Sequence, residues 1–194
     1  MYTFRVFLAL VLFNCAVAAP PADMPAECLP PKGTEKEASQ CCKMAQIFGS
    51  SEAGAAFKQC QDMVKEKPAE GDKAGKPEGF ECMDDCLFSK IGLLADKKIN
   101  EAELASRVKT AYAGEWAEVG AKAGEKCLAA AKSSTDKLCP SGADIFVQCI
   151  FRETYMNCPD KNWTASDVCK ANKERLQKCP RALPFLGPML EVKA

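Results

Sequence analysis

Cysteines are the feature that most constrains how this chain folds. The sequence contains 13 cysteines in 194 residues and no histidine. Cys15 lies in an N-terminal segment that we expect to be removed, so an even number remains. An even set in a secreted chain predicts disulfides, and zinc ligands are disfavoured because neither a C-x2-C pair nor a histidine occurs. We therefore expect six disulfide bonds to hold the fold.

Residues 1–18 have the pattern of a secretory signal peptide. Arg5 is followed by an apolar run, Val6 to Phe13, and by the small residues Ala16-Val17-Ala18. The run is too short to span a membrane and no second run follows, so we predict a secreted, extracellular protein without stable membrane insertion. Removing Arg5 leaves one more acidic than basic side chain, which gives no attraction to nucleic acid.

The segment Phe80 to Asn100, FECMDDCLFSKIGLLADKKIN, is the predicted centre of the fold. Cys82 and Cys86 are four residues apart and would reach partners on one side of a helix. Apolar residues up to Leu94 recur at helical spacing on a neighbouring face, and we expect the helix to end near Leu94. Asn100 is spaced to cap the next helix.

The remaining sequence predicts an all-α fold of about seven helices in a single disulfide-rich domain, residues 19–194. No region alternates with period two for long, and glycine and proline separate the helical patterns. We expect residues 19–33 to form a proline-rich N-terminal arm and residues 67–79 to form a flexible loop. The apolar C-terminal tail, residues 180–194, is interrupted by prolines and cannot be helical throughout.

Apolar side chains at helical spacing are candidates for a ligand pocket. Each of them taken alone is more simply explained as core, but together they supply the largely apolar wall that a pocket needs. The candidates are Phe88, Ile91, Leu94, Val108, Tyr112, Trp116, Phe146, Ile150 and Phe151.

Catalysis is not predicted, and neither is a cofactor. Histidine, the commonest general base, is absent. Asp84 and Asp85 are adjacent carboxylates, which we interpret as part of a solvated helix face. The absence of histidine also predicts that ligand affinity is nearly constant between pH 7.5 and about 5.5.

Asn162-Trp163-Thr164 is an N-glycosylation sequon, with Asn162 as the acceptor.

The cysteine spacing resembles that of the insect odorant-binding proteins. The spacing runs Cys82-x3-Cys86, then forty residues to Cys127, then Cys149-x8-Cys158, and CMDDCLFSKIGLLADKKIN is similar to the third-helix region of that family. Cys139-x9-Cys149-x8-Cys158-Pro159-x9-Cys169 further resembles its Plus-C subgroup, although the gap from Cys127 to Cys139 is shorter than in that subgroup. The resemblance extends from Cys28 to Cys179, nearly the whole secreted chain.

The resemblance implies bridges from the first to the third, the second to the fifth and the fourth to the sixth family cysteine. On this chain it would join Cys82 to Cys149, Cys127 to Cys158, and Cys86 to Cys60 or to one of the adjacent pair Cys41-Cys42. It leaves the order open for the remaining cysteines, which are Cys28, Cys41, Cys42, Cys139, Cys169 and Cys179.

The resemblance also implies a function. It predicts a secreted, non-catalytic carrier that binds small hydrophobic molecules such as odorants, pheromones or lipids between helices. A membrane chemoreceptor is a further partner that it suggests, and a homodimer is compatible with it. The alternative is a disulfide-stabilised extracellular interaction protein without an open cavity, and a fluorescent apolar probe would separate the two.

Overall fold

The computed structural model describes residues 25–45, 47–48, 50–65 and 82–184. These ranges contain seven α-helices, and the predicted all-α fold is confirmed. The helices are α1 (Glu35–Gln40), α2 (Ser50–Lys65), α3 (Met83–Lys90), α4 (Glu101–Ala111), α5 (Ala117–Ser133), α6 (Ala143–Met156) and α7 (Asp167–Lys178). Three short 3-10 turns occur at Ala26–Cys28, Gly114–Trp116 and Asp160–Asn162, and two strands, β1 (Leu94–Ala95) and β2 (Lys98–Ile99), form a small hairpin.

Several predicted segments lie outside the described residues. They are the signal peptide, residues 19–24 of the predicted arm, the whole loop at 67–79 with its flanks, and the tail beyond residue 184. Of the helices in the described ranges, none has both the length and the apolar character needed to cross a membrane.

Helix α6 occupies the centre of the fold, packed against α5 on one side and α3 on another. Phe146 on α6 is fully buried, and its ring lies 6.2 Å from that of Phe88 on α3, edge to face. Phe88 in turn meets Phe48, with ring centroids 5.8 Å apart. These aromatic contacts join three parts of the chain in one apolar core, since edge-to-face pairs are favourable beyond the area they bury.

The segment that follows α3 differs from the prediction. The helix ends at Lys90 rather than near Leu94, because Gly92 adopts a positive φ of 74° that an α-helix cannot continue through. Leu94 then pairs with Ile99 across the hairpin, whose turn residues Asp96 and Lys97 also have positive φ. The predicted cap of α4 is confirmed, because Asn100 Oδ1 accepts a hydrogen bond of 3.2 Å from the next turn's backbone.

Three disulfides lie within the part of the chain that runs from α2 to α6. They are Cys60–Cys86, Cys82–Cys139 and Cys127–Cys149. The structure therefore corrects two expected pairings, since Cys82 does not meet Cys149 and Cys127 does not meet Cys158. The reason is the packing of α5 on α6, which brings Cys127 and Cys149 to a Cα–Cα distance of 5.4 Å, a normal disulfide separation.

The corrected pairing keeps the order of bridges that the resemblance implies. If Cys60 is the first family cysteine, then Cys139 is the fifth and Cys149 the sixth. The bridges then join first to third, second to fifth and fourth to sixth. The error lay in assigning the fifth and sixth positions one cysteine too far along the chain.

The other three disulfides join the N-terminal segment to the C-terminal one. They are Cys28–Cys179, Cys41–Cys169 and Cys42–Cys158. Together they attach α1 and the preceding arm to α7. Each of these bridges spans more than 100 residues, and the entropy argument gives about 4–5 kcal/mol for the first of them and less for the others, which are nested inside it.

Two arginines bind the backbone of the C-terminal segment. Arg175 is 8% exposed and donates to the carbonyl oxygens of Cys28 (2.5 Å) and Leu183 (2.7 Å) and to Asn172 Oδ1 (2.7 Å). Arg152 on α6 donates to the carbonyl oxygens of Leu176, Cys179 and Ala182. Burial lowers the pKa of both guanidinium groups from its ordinary value. Multiple carbonyl acceptors offset the cost of burying these charges.

Candidate ligand-binding site

A groove of about 620 Å³ lies between α4 and α5, with one residue of α6 at its floor. Its lining is largely apolar, and its volume is typical of small-molecule sites. The lining residues are Leu104, Ala105, Val108, Lys109, Tyr112, Ala113, Ala117, Ala121, Gly124, Glu125, Leu128 and Phe146.

Two glycines on α5 set how closely α4 approaches. A Cβ atom at Gly120 would lie only 2.2 Å from Tyr112 Cβ, and one at Gly124 would lie 3.1 Å from Val108 Cγ1. Gly120 therefore cannot carry a side chain without displacing α4. Because Tyr112 lies against Gly120 and Val108 lies against Gly124, the two helices run antiparallel in a fixed register.

Small side chains on both helices keep the groove open to solvent. Four exposed alanines line the mouth: Ala105 on α4, Ala113 just after α4, and Ala117 and Ala121 on α5. Large buried residues form the floor, among them the fully buried Phe146. An alanine fills little of the space between two helices, so the void is a consequence of side-chain size along both walls.

The hydroxyl of Tyr112 belongs to the core rather than to the groove. It lies 2.5 Å from Thr154 Oγ1, and both residues are buried. Burial raises the pKa of Tyr112 to about 12, although the hydrogen bond to Thr154 opposes that shift. The charged side chains of the lining are Lys109 and Glu125.

Three of the nine candidate pocket residues line the groove: Val108, Tyr112 and Phe146. The other six pack elsewhere, in the core or at its edge: Phe88, Ile91, Leu94, Trp116, Ile150 and Phe151. The prediction missed the alanines and Gly124, which line the groove because they are small. Their signal was the recurrence of alanine or glycine at spacings of three and four residues along α5.

The adjacent carboxylates on α3 are not on a solvated face, so that interpretation is wrong. Asp85 is 5% exposed and accepts a hydrogen bond from Ser141 Oγ. Asp144, 2% exposed, accepts hydrogen bonds from the backbone nitrogens of Leu138 (2.8 Å) and Cys139 (3.2 Å). These carboxylates hold the loop between α5 and α6 against the start of α3, which is a structural role.

Asp84, beside this cluster, has a perturbed pKa. The pKa of Asp84 is raised to about 6, mainly by burial and to a smaller extent by the nearby carboxylates Asp144 and Asp85. A carboxylate oxygen of Asp85 and the sulfurs of Cys82 and Cys139 lie within 4.8 Å of one another. These sulfurs are joined in a disulfide, and a metal ligand must be a thiolate, so the group is not a metal site.

The side chain of Asn162, the sequon residue, is engaged in the folded protein. Its Nδ2 donates to Glu115 Oε1 at 2.5 Å, which joins the turn before α7 to the turn before α5. Glycosylation of Asn162 stays a prediction, and it would require this contact to be absent or replaced.

Comparison with known proteins gives one similarity of broad extent. General odorant-binding protein 67 of Anopheles gambiae is 22% identical over 186 residues, covering 90% of this chain and 88% of that protein. The predicted resemblance to insect odorant-binding proteins is confirmed. The helical fold with its six disulfides is consistent with an odorant-binding-protein-like all-α domain. No protein-family model matches the chain.

Proposed function

We propose that this protein is a secreted, non-catalytic carrier that binds small hydrophobic molecules in the groove between α4 and α5. The observation that carries the proposal is the groove itself, about 620 Å³ in volume with an apolar floor. The similarity to a protein named for odorant binding supports it. Secretion is supported by the six disulfides, which form and persist in oxidising compartments.

Burial of the ligand's apolar surface would drive binding. A ligand that buries about 200 Å² gains roughly 5 kcal/mol at about 25 cal/mol per Å². Lost translational and rotational freedom offsets part of this gain, and the open mouth leaves some of the ligand in water. Since roughly 5 kcal/mol corresponds to a Kd of about 0.2 mM, we expect weak, submillimolar affinities and loose selectivity for the ligand's apolar body.

The Plus-C subgroup is part of the proposal. Three disulfides lie outside the segment from α2 to α6, and they fit a subgroup whose mark is extra cysteines. A membrane chemoreceptor partner and a homodimer stay predictions. The alternative is an extracellular interaction protein without an open cavity. It is less favoured, because the groove between α4 and α5 is an open space large enough for a small ligand.

A fluorescent apolar probe tests the proposal. The probe N-phenyl-1-naphthylamine should brighten on binding and be displaced by apolar ligands. Ala121→Phe places a ring in the mouth of the groove and should weaken probe binding at least tenfold. Ala129→Phe is the matched control, because Ala129 is exposed on the same helix and does not line the groove. An absence of brightening, or equal loss in both variants, would refute a site in this groove.

A further inference from the structure

Two charged side chains on α4 and α5 differ from the others in making no ion pair within the described part of the chain. Lys109 and Glu125 are exposed, line the groove and have no ion-pair partner among the residues that the structure describes. Every other charged side chain on these helices makes an ion pair. The pairs are Arg107–Glu52, Arg107–Glu103, Lys122–Glu118, Lys126–Glu153 and Lys132–Glu101.

The register of the helices places the two unpaired charges near each other across the mouth. Val108 lies against Gly124, and Lys109 and Glu125 are the next residues of these two antiparallel helices. Their Cα atoms are therefore displaced along the groove by only about two residues, or roughly 3 Å at 1.5 Å per residue. Lysine has a flexible stem of four carbons, so its ammonium group can reach over the groove.

We propose that Lys109 and Glu125 bind the hydroxyl of an uncharged ligand, so that the groove prefers a straight-chain alcohol over an acid or an amine of the same length. This inference rests on the proposed carrier function. A hydroxyl oxygen accepts from the Lys109 ammonium while its O–H donates to the Glu125 carboxylate, so the hydroxyl uses both its donor and its acceptor. A ligand carboxylate would be attracted by Lys109 but repelled by Glu125, and a ligand ammonium would be attracted by Glu125 but repelled by Lys109, so that in each case the repulsion offsets the attraction. Such repulsion is a means of selectivity.

The interior of the groove supports the same placement of the polar group. The Tyr112 hydroxyl is already bonded to Thr154, so it is not available to a ligand. The floor residues Leu104, Val108 and Phe146 offer only apolar surface. A polar group of the ligand is therefore stabilised at the mouth, beside the two charges, while the chain lies along the floor. The lining residues of this wall run from Leu104 on α4 to Tyr112 at its C-terminal cap, about 12 Å at 1.5 Å per residue, which suits a chain of ten carbons.

The test is displacement of N-phenyl-1-naphthylamine by 1-decanol, decanoate and decylammonium at pH 7.5 and low salt. We expect 1-decanol to displace the probe best. Glu125→Gln should strengthen decanoate and weaken decylammonium, and Lys109→Gln should do the reverse, each by about two- to fivefold. These opposite changes should shrink in 0.5 M salt, because screening weakens interactions between exposed charges.

Controls separate this inference from the proposed function. Glu118→Gln and Lys122→Gln remove charges of the same type on α5 outside the groove, and they should leave the ligand ratios unchanged. If Ala121→Phe abolishes probe binding but the Lys109 and Glu125 variants leave the ratios unchanged, the carrier function stands and this inference is wrong. A wild-type preference for decanoate or decylammonium would also overturn it. If the probe does not bind at all, both proposals fail.

Discussion

Replacing Asp84 with asparagine should make the protein more stable near neutral pH. The pKa of Asp84 is raised to about 6 in the folded protein, first by burial and then by Asp144 and Asp85. In the unfolded chain the same carboxyl titrates near its ordinary value of about 3.9. The fold therefore binds the proton more tightly than the unfolded chain does, and ionised Asp84 destabilises the fold.

The sign and the pH window follow from these two pKa values. The favourable contribution of protonated Asp84 is fully present below about pH 4, decreases as the pH rises, and is lost above about pH 6. A difference of about two pKa units corresponds to about 3 kcal/mol at 1.36 kcal/mol per unit. Partial solvent access reduces this figure, so we expect a gain of about 2 kcal/mol for Asp84→Asn at pH 7.5.

The measurement is equilibrium unfolding in guanidinium chloride with the disulfides intact, at pH 4.5, 6 and 7.5. The wild-type protein should lose stability as the pH rises through 6, and Asp84→Asn should remove that part of the pH dependence. Asp136→Asn is the control, because Asp136 is exposed in the loop between α5 and α6. If Asp84→Asn is no more stable than the wild type at pH 7.5, or if it keeps the same pH dependence, our account of the carboxylate cluster is wrong.

Three further predictions concern other parts of the fold. Arg175→Met should lower the free energy of unfolding by about 3 kcal/mol or more, because it leaves buried carbonyl groups without a donor. Lys178→Met, on the exposed side of α7, should lower it little, and unfolding midpoints in guanidinium chloride measure both variants. Peptide mapping of unreduced protein should join Cys82 to Cys139, and a peptide joining Cys82 to Cys149 would contradict the structure. Affinity for 1-decanol should change less than twofold between pH 7.5 and 5.5, because Asp84 does not line the groove; a tenfold loss near pH 6, measured by probe displacement, would show that the carboxylate cluster controls binding.

The sequence was sufficient to predict the helices, the disulfide-rich class and the order of bridges, but not which cysteines hold each place in that order. Cys139, Cys149 and Cys158 are separated by similar intervals, so spacing alone allows two assignments of the fifth and sixth positions. Which assignment is correct depends on how α5 packs on α6, because that packing brings Cys127 next to Cys149. Helix packing depends on side chains far apart in sequence, and the spacing of cysteines does not report it.

The groove was predictable only in part for a similar reason. Val108 and Phe146 are apolar residues at helical spacing, and so are Phe88 and Ile150, which are buried away from the groove. Whether such a residue lines a void depends on the size of the side chain opposite it on another helix. Gly124 and the exposed alanines decide this, and a single sequence does not tell which residues face them.

The aspartates near the starts of α3 and α6 are buried although aspartate side chains are usually exposed. Aspartates are rarely buried, which favoured a solvated face for Asp84 and Asp85. Both lie in the first turn of α3, and Asp144 lies in the first turn of α6, where the helix dipole favours negative charge. Donors from Ser141 and from the backbone before α6 then compensate the loss of water around Asp85 and Asp144.

Helix α6 connects the groove to the disulfide-bonded termini, which explains why it is apolar on more than one face. Phe146, near its start, forms the floor of the groove, and Cys149 fixes it to α5. Near its end, Tyr155 accepts a hydrogen bond of 2.8 Å from Asn172 on α7, and Arg152 binds the carbonyl groups of the C-terminal segment. The three outer disulfides thus restrain the far end of the helix that supports the groove.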